Sequence, residues 1–378
     1  MNLNLGDDLF LKILFEKYPD VRFVLIVDNL DSKYKDIFSK NQNVTIETNK
    51  EKSNLFSRIK FLLARKLSSS LYKQLVKSKL ERLMQSQSKE TSMLISIGGS
   101  VFIQPKKLPA YADIEYYKTF KKVYPNSNLF ILGSNFGPYT DPSYKEEYIS
   151  IFSNSTDVCF REKYSYELFK DIPTIRYAHD IVFSLNTDRY KVNKKSKSIG
   201  FSVIGLDKNH TINSSINKPE KDAYIDKQVE IILHFLKKGY SIHLFSFCQG
   251  EGDEDTANII FNKIEPEFQS EVELNFYNGD IDSFLFKYAS IEYMFCARFH
   301  SLILSILFSQ NIYPIIYSNK TTNVLNDLGY QGSSCSIAKM SNLNVEDVEK
   351  QIKENHVAID AGVKESADSQ FEKLNLYL

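Results

Sequence analysis

Short apolar runs alternate with amphipathic helical stretches along most of this chain, and the alternation breaks once, in a polar lysine-rich segment, before starting again. Strands that are apolar throughout need cover on both faces, and crossover helices supply it, so the pattern demands a mainly parallel sheet. The first set contains RFVLIVD, NVTIET, MLISIGGS, NLFILGSNFGP, DVCFRE and IRYAHDIVF, with helical spacing over 9–17 and in EEYISIFSNS and KYSYELFKD. The segment NTDRYKVNKKSK, 186–197, has no periodicity and reads as an interdomain linker. Beyond it, SIGFSVI, YSIHLFSF, SIEYMFCA and IYPIIYS read as strands, while DAYIDKQVEIILHFLKKG, DTANIIFNKI and RFHSLILSILFSQ read as helices. The expectation is two Rossmann-like α/β domains, 1–190 and 198–340, followed by a helical tail over 341–378. Ligands of open α/β sheets bind beyond the carboxyl ends of the strands. Chemistry is therefore expected in the cleft between the two domains.

Composition narrows the function classes. Lys+Arg and Asp+Glu both number 47, so a neutral chain gives no electrostatic reason to expect a nucleic-acid partner. Cys159, Cys248, Cys296 and Cys335 lie far apart with no CxxC pair, which argues against a zinc site or a disulfide framework. Cys159, Cys248 and Cys296 sit in apolar runs and read as packed, reduced thiols, pointing to a reducing, cytoplasmic compartment. No apolar run reaches the ~18 residues of a membrane span, and MNLNLGDDLF does not resemble a secretory signal. The stretch 58–82 carries many Lys and Arg with leucines at helical spacing. Two readings stay open for it: peripheral contact with an anionic membrane at the inner face, or a helix packed on its own domain.

The residues able to carry chemistry cluster at strand ends. Arg298 and His300 follow the strand SIEYMFCA and open an apolar helix, where neither belongs unpartnered in a core. A helix N-terminus there suits an anion; Arg offers a planar fork for carboxylate or phosphate, and His moves protons near neutral pH. Arg161 ends DVCFRE in the other half, with an ion pair to Glu162 or Glu167 as the competing reading. Gly98, Gly99 and Ser100 in ISIGGS, and Asn135 and Gly137 in GSNFGPY, are strand-end turns where backbone can approach a ligand. Asp7 and Asp8 are placed before the first helix, either as helix-opening acids or as ligands of sugar hydroxyls. CQGEGDEDT lacks the ligand alternation of a calcium loop and reads as the acidic opening of the next helix; no metal site is expected.

In order along 4–330, NLGDDLFLKIL, ISIGGSVF, GSNFGPY, DVCFREKYSYELF, HDIVFSL, SFCQGEGDE and CARFHSLI followed by Tyr317 and Lys320 resemble the polysaccharide pyruvyl transferase family. The resemblance implies a GT-B-like fold of two Rossmann-like domains and a bacterial, cytoplasmic, ketal-forming transferase of exopolysaccharide or capsule biosynthesis. Phosphoenolpyruvate would be the donor substrate, with no cofactor. The acceptor would be a sugar of a surface polysaccharide or its lipid-linked oligosaccharide precursor. Donor contacts in the family map onto Arg161, Arg298 and His300, with Phe299 in place of the usual aliphatic residue, and His300 is the expected acid–base catalyst. Asp7, Asp8, Gly98, Gly99, Ser100, Asn135, Gly137 and Lys320 are expected to line the ligand. The family pattern also places a strand and loop before NLGDD, and that first strand is expected to be missing here. Two rivals would share the architecture: a GT-B-type glycosyltransferase using a nucleotide sugar, and an inactive sugar-binding relative.

Overall fold

A computed structural model of the chain describes residues 3–27, 37–38, 41–48, 63–64, 69–86, 92–105, 111–206 and 216–378. Helix α1 (Leu5–Lys17) begins earlier than the periodicity over 9–17 suggests, because Asn4 caps it: its side chain accepts from the Gly6 N–H at 3.0 Å. Asp7 and Asp8 thus lie in the first helical turn rather than ahead of it.

The first half continues with β1 (Phe23–Val27), β2 (Val44–Thr48), α2 (Ser69–Ser86), β3 (Met93–Ile97), α3 (Tyr111–Val123), β4 (Asn128–Ser134), α4 (Pro142–Ser153), β5 (Asp157–Phe160), α5 (Lys163–Phe169) and β6 (Ile175–Tyr177). Strands β1 and β2 pair in parallel as a two-stranded ladder, and β3-β4-β5-β6 form a parallel sheet in sequence order. Of the stretch 58–82, residues 58–62 and 65–68 lie outside the described residues. The part within α2 packs on α3: Val76, Leu83 and Met84 are buried, Lys73 meets Glu115 at 3.3 Å and Glu81 meets Lys122 at 2.6 Å.

The second half runs β7 (Ser198–Ser202), α6 (Lys218–Leu236), β8 (Ser241–Ser246), α7 (Asp253–Lys263), β9 (Val272–Phe276), α8 (Ile281–Ala289), β10 (Tyr293–Cys296), α9 (Phe299–Leu307), β11 (Asn311–Ile316), α10 (Asn319–Asp327) and β12 (Cys335–Ser336). All six strands are parallel, in the order β12-β11-β10-β7-β8-β9. Strand order reverses at β7, which places a crevice beyond the carboxyl ends of β7 and β10. Strands β9 and β12 escape a reading based on apolar runs. The first is an edge strand with polar Glu273 and Asn275 in a short sequence, and the second spans two residues.

The two halves are not independent bodies. One core cluster draws Leu9, Phe10 and Leu14 from α1, Leu132 and Ile181 from the first half, Phe245, Leu302 and Ile303 from the second, and Phe371 from the tail. Helix α1 belongs to the first half by sequence, yet its start joins the second: the Leu5 N–H donates to Phe247 at 3.0 Å and the Gln249 N–H to Leu3 at 3.2 Å. The aperiodic stretch 186–197 is clamped rather than loose. Tyr190 is buried with its hydroxyl donating to Asp282, and Arg189 pairs with Asp282 at 2.9 Å.

The tail, with α11 (Val345–Glu354) and α12 (Ala361–Asp368), returns to the first sheet. There Gln370 accepts from the Gly133 N–H at 2.9 Å and donates to the Ala178 and His179 carbonyls at 3.0 and 3.1 Å. Arg176, held by Asp157 in a two-pronged pair at 2.8 Å, donates to the carbonyls of Ser369 and Gln370. Among the described residues no helix is long and apolar enough to cross a membrane, and all four cysteines are buried free thiols.

Candidate active site

Four strand ends of the first half and three of the second face one another across α1. Arg161 leaves β5 and is 3 % exposed. Its Nη1 donates to Asp180 at 2.9 Å and its Nη2 to Asn135 at 2.8 Å. The competing partners Glu162 and Glu167 are engaged elsewhere, with Ser165 and with Lys170. Asn135, after β4, also accepts from the Ser100 hydroxyl at 3.0 Å, so the two glycine-bearing turns are cross-braced. Gly98, with φ of +123°, makes the turn after β3 and sets Gly99 against the guanidinium: a Cβ on Gly99 would sit 3.1 Å from both terminal nitrogens. The Arg161 Nε is buried and has no hydrogen-bond partner among the described residues.

From the second half, Phe299 and His300 open α9. The Phe299 ring lies 4.2 Å from the Arg161 guanidinium carbon and 5.8 Å from the Lys320 ammonium, which also stands 5.3 Å from Tyr317. An aromatic face next to two cations is a stabilising arrangement that no aliphatic residue supplies. His300 Nε2 is 3.5 Å from Arg161 Nη1 and 4.0 Å from Asp180 Oδ2. Gly6 of α1 makes room for the imidazole; a Cβ there would come within 1.9 Å of His300 Nδ1. Burial, aided by Arg161, Lys320 and Arg298, holds the His300 pKa well below its ordinary value, so the ring is neutral. A guanidinium only donates, so the Nε2 that faces it carries the lone pair.

Arg298 is differently placed. Its Nε donates to Asp253 Oδ2 at 2.9 Å, its Nη2 to Asp253 Oδ1 and its Nη1 to Glu251. Asp253 also accepts the N–H groups of Gly205 at 3.0 Å and Cys248 at 3.0 Å, tying β7, β8 and β10 together. These carboxylates push the Arg298 pKa further above its normal range. Its fork is therefore filled by protein.

The two acids of α1 diverge. Asp7 looks into the site, where Arg161, Lys320 and Glu251 act on it, and burial raises its pKa to about 6. Asp8 turns away and accepts from the Tyr277 hydroxyl at 2.6 Å, with a pKa pushed up to about 7 by burial. Gly137 is likewise set back, beside Tyr139 and Asn135. The site thus gathers Asp7, Gly99, Asn135, Arg161, Phe299, His300 and Lys320, with Ser100 bracing Asn135. Sequence reading missed Asp180, Glu251 and Asp253. Asp180 had a usable signal: it lies three residues beyond IRY, past the end of the strand next to the one that Arg161 leaves. Asp253 had none, since an acid opening a helix is ordinarily solvated. Among the described residues, no group of three His, Cys, Asp or Glu side chains is arranged to hold a metal ion.

Solved structures that share the fold include UDP-GlcNAc 2-epimerases. The UDP-GlcNAc 2-epimerase of Neisseria meningitidis, bound to UDP-GlcNAc, superposes with a TM-score of 0.52 at 9 % identity, covering 94 % of this chain and 99 % of that one. MnaA of S. aureus with UDP gives 0.53 at 9 % identity, covering 94 % and 96 %. The UDP-GlcNAc 2-epimerase of Methanocaldococcus jannaschii gives 0.52 at 7 % identity, covering 94 % and 99 %. At identities this low the superpositions show the fold alone, the GT-B architecture of two Rossmann-like units. No curated protein matches the chain in sequence. The family model for polysaccharide pyruvyl transferase matches residues 4–319, a span that takes in every residue gathered at the cleft except Lys320. The chain belongs to the polysaccharide pyruvyl transferase family and, with it, to the transferases.

Proposed function

We propose that this protein transfers the pyruvyl group of phosphoenolpyruvate to two hydroxyls of one sugar, in a bacterial surface polysaccharide or its lipid-linked precursor, forming a ketal. The observation that carries the reading is the meeting of Arg161 with Phe299 and His300 from opposite halves of the chain, 3.5 Å apart at the nearest nitrogens. Phosphoenolpyruvate offers a carboxylate and a phosphate close together. Lys320 forms no ion pair among the described residues, Arg161 retains its Nε, and the first turn of α9 presents backbone N–H groups to an anion. Arg298, filled by Asp253 and Glu251, supports α9 from behind and contributes positive potential rather than a donor fork.

The chemistry adds a proton to the methylene carbon, giving an oxocarbenium-like centre that a sugar hydroxyl attacks. Phosphate leaves and the second hydroxyl closes the ring. Neutral His300 serves as the base for the attacking hydroxyl, a task that a charged imidazolium cannot perform. The donor itself supplies the activated group, so this reaction calls for no cofactor.

The test is donor choice. Phosphoenolpyruvate should raise the melting temperature, because saturation at 100 times Kd stabilises by about 2.7 kcal/mol. UDP and GDP at the same concentration should not. A shift with UDP and none with phosphoenolpyruvate would replace this reading with a nucleotide-sugar enzyme. Replacing His300 with alanine should lower turnover by about 100- to 10,000-fold with the melting temperature little changed.

A further inference from the structure

Protonation of a carbon atom needs an acid that still holds its proton near neutral pH, and neutral His300, facing Arg161 through a lone pair, is not that group. Lys320 and Arg161 are needed as fixed positive charge. Asp180 is locked on Arg161 and on the Val182 N–H at 2.9 Å, and Glu251 and Asp253 are locked on Arg298. One carboxyl group in the cleft is in none of these pairs: Asp7, partly exposed in the first turn of α1 next to the glycine against which His300 packs.

We infer that Asp7 is the catalytic acid that delivers the proton to the methylene carbon of bound phosphoenolpyruvate before the acceptor attacks, an assignment that rests on the pyruvyl-transfer reading above. Its position follows from the helix. Asn4 caps α1, whose start is tied to Phe247 of the second half and whose Phe10 ring lies 5.2 Å from the His300 ring. Asp7 is therefore carried into the site on a helix anchored to both halves, within electrostatic reach of Arg161 and Lys320. Burial, the largest influence, outweighs the two cations, Glu251 adds to it, and the carboxyl titrates at about 6; Asp8, next to it on the helix, is held by Tyr277. A bound dianion raises that value further, which enlarges the protonated fraction near neutral pH.

The C2=C3 electron pair takes the Asp7 proton, leaving C3 a methyl group and C2 an oxocarbenium centre stabilised by its ester oxygen. The first sugar hydroxyl forms a C–O bond to C2 and gives its proton to His300. The C2–O bond to phosphorus breaks, and phosphate leaves with the proton held by His300. The second hydroxyl bonds to C2, and its proton returns to the Asp7 carboxylate, restoring the starting acid.

The experiment uses the full chain, phosphoenolpyruvate as the only ligand, and deuterium oxide as solvent, without any acceptor. Binding is measured by calorimetry, and loss of the vinyl proton signals is followed by NMR. Wild-type protein should bind the donor and exchange its methylene hydrogens. The exchange rate should fall as pH rises above the Asp7 titration, because only the protonated carboxyl acts. Asp7→Asn should bind phosphoenolpyruvate at least as tightly, exchange it about 100- to 10,000-fold more slowly and lose that pH limb; Asp7→Glu should recover part of the rate. Exchange by Asp7→Asn at the wild-type rate, or wild-type binding with no exchange, would overturn the assignment of Asp7 while leaving the donor in place. Absence of wild-type binding would instead remove the pyruvyl-transfer reading itself. Retained binding by Asp7→Asn certifies that the variant's site is folded.

Discussion

Arg161 and Arg298 hold equivalent places in the two halves, each directly beyond a parallel strand and each almost fully buried, yet their surroundings differ. Arg298 has two carboxylates, one of them in a two-pronged pair that also collects backbone N–H groups from two neighbouring strands. Arg161 has one carboxylate and one neutral amide, an aromatic ring 4.2 Å away, and a buried Nε with no partner among the described residues. The first is a structural post that fixes α9. The second has capacity to spare for an incoming anion. The same residue type at the same topological position is a support or a ligand according to how many acceptors the protein itself provides.

The largest effect that tests this contrast is on stability. Asp253→Ala should destabilise the fold by about 3–5 kcal/mol, since it leaves a buried Arg298 without its main counter-charge. Chemical denaturation measures it, and a loss under about 1 kcal/mol would deny Arg298 the role of a post. Arg161→Lys should act on the donor. Lysine has no counterpart of the buried Nε that no acceptor among the described residues engages; a charge-assisted hydrogen bond from it to the donor is worth about 1.5–3 kcal/mol, so phosphoenolpyruvate should bind about 10- to 100-fold more weakly by calorimetry. If instead the variant binds normally and melts early, the two arginines do the same job. Phe299→Leu separates the aromatic face from bulk. A cation–π contribution of about 0.5–2 kcal/mol predicts a several-fold loss of donor affinity with little change in melting temperature.

The last comparison concerns Asp8, the acid of α1 that turns to Tyr277. Asp8 has a folded-state pKa of about 7 against an ordinary 3.8. The folded protein therefore holds this proton more tightly than the unfolded chain, so stability is greatest below about pH 4 for this group and declines as pH rises to about 7. Asp8→Asn should remove that decline and raise stability at pH 8, read as a flatter melting-temperature profile. A profile unchanged from wild type would mean that Tyr277 compensates the charged form.

How much of this was legible in the chain depends on what kind of signal each feature leaves. The helix-opening Arg298, Phe299 and His300 stand out because polar groups follow an apolar strand, and Arg161 stands out for the same reason. Asp180 left a similar mark that was not used. Asp253 left none, because its burial comes from the convergence of three strand ends. Gln370 lies in what reads as a peripheral helical tail, yet its amide joins β4, the end of β5 and the segment after β6. The linker 186–197 shows no periodicity because Tyr190 and Arg189 act singly, through one pair of contacts to Asp282.

By itself the sequence determined the α/β class, the parallel pairing, the restart after the linker and the strand ends at which polar residues appear, because each depends on local periodicity and on the cost of burying an unpartnered charge. Only the tertiary structure decided that Arg298 is saturated while Arg161 is not, that Asp7 and Asp8 face opposite ways, and that α1 and the tail weld the halves into one core. Those outcomes depend on which side chains, far apart in the chain, arrive within 3 Å of one another, and no short-range pattern encodes such a meeting.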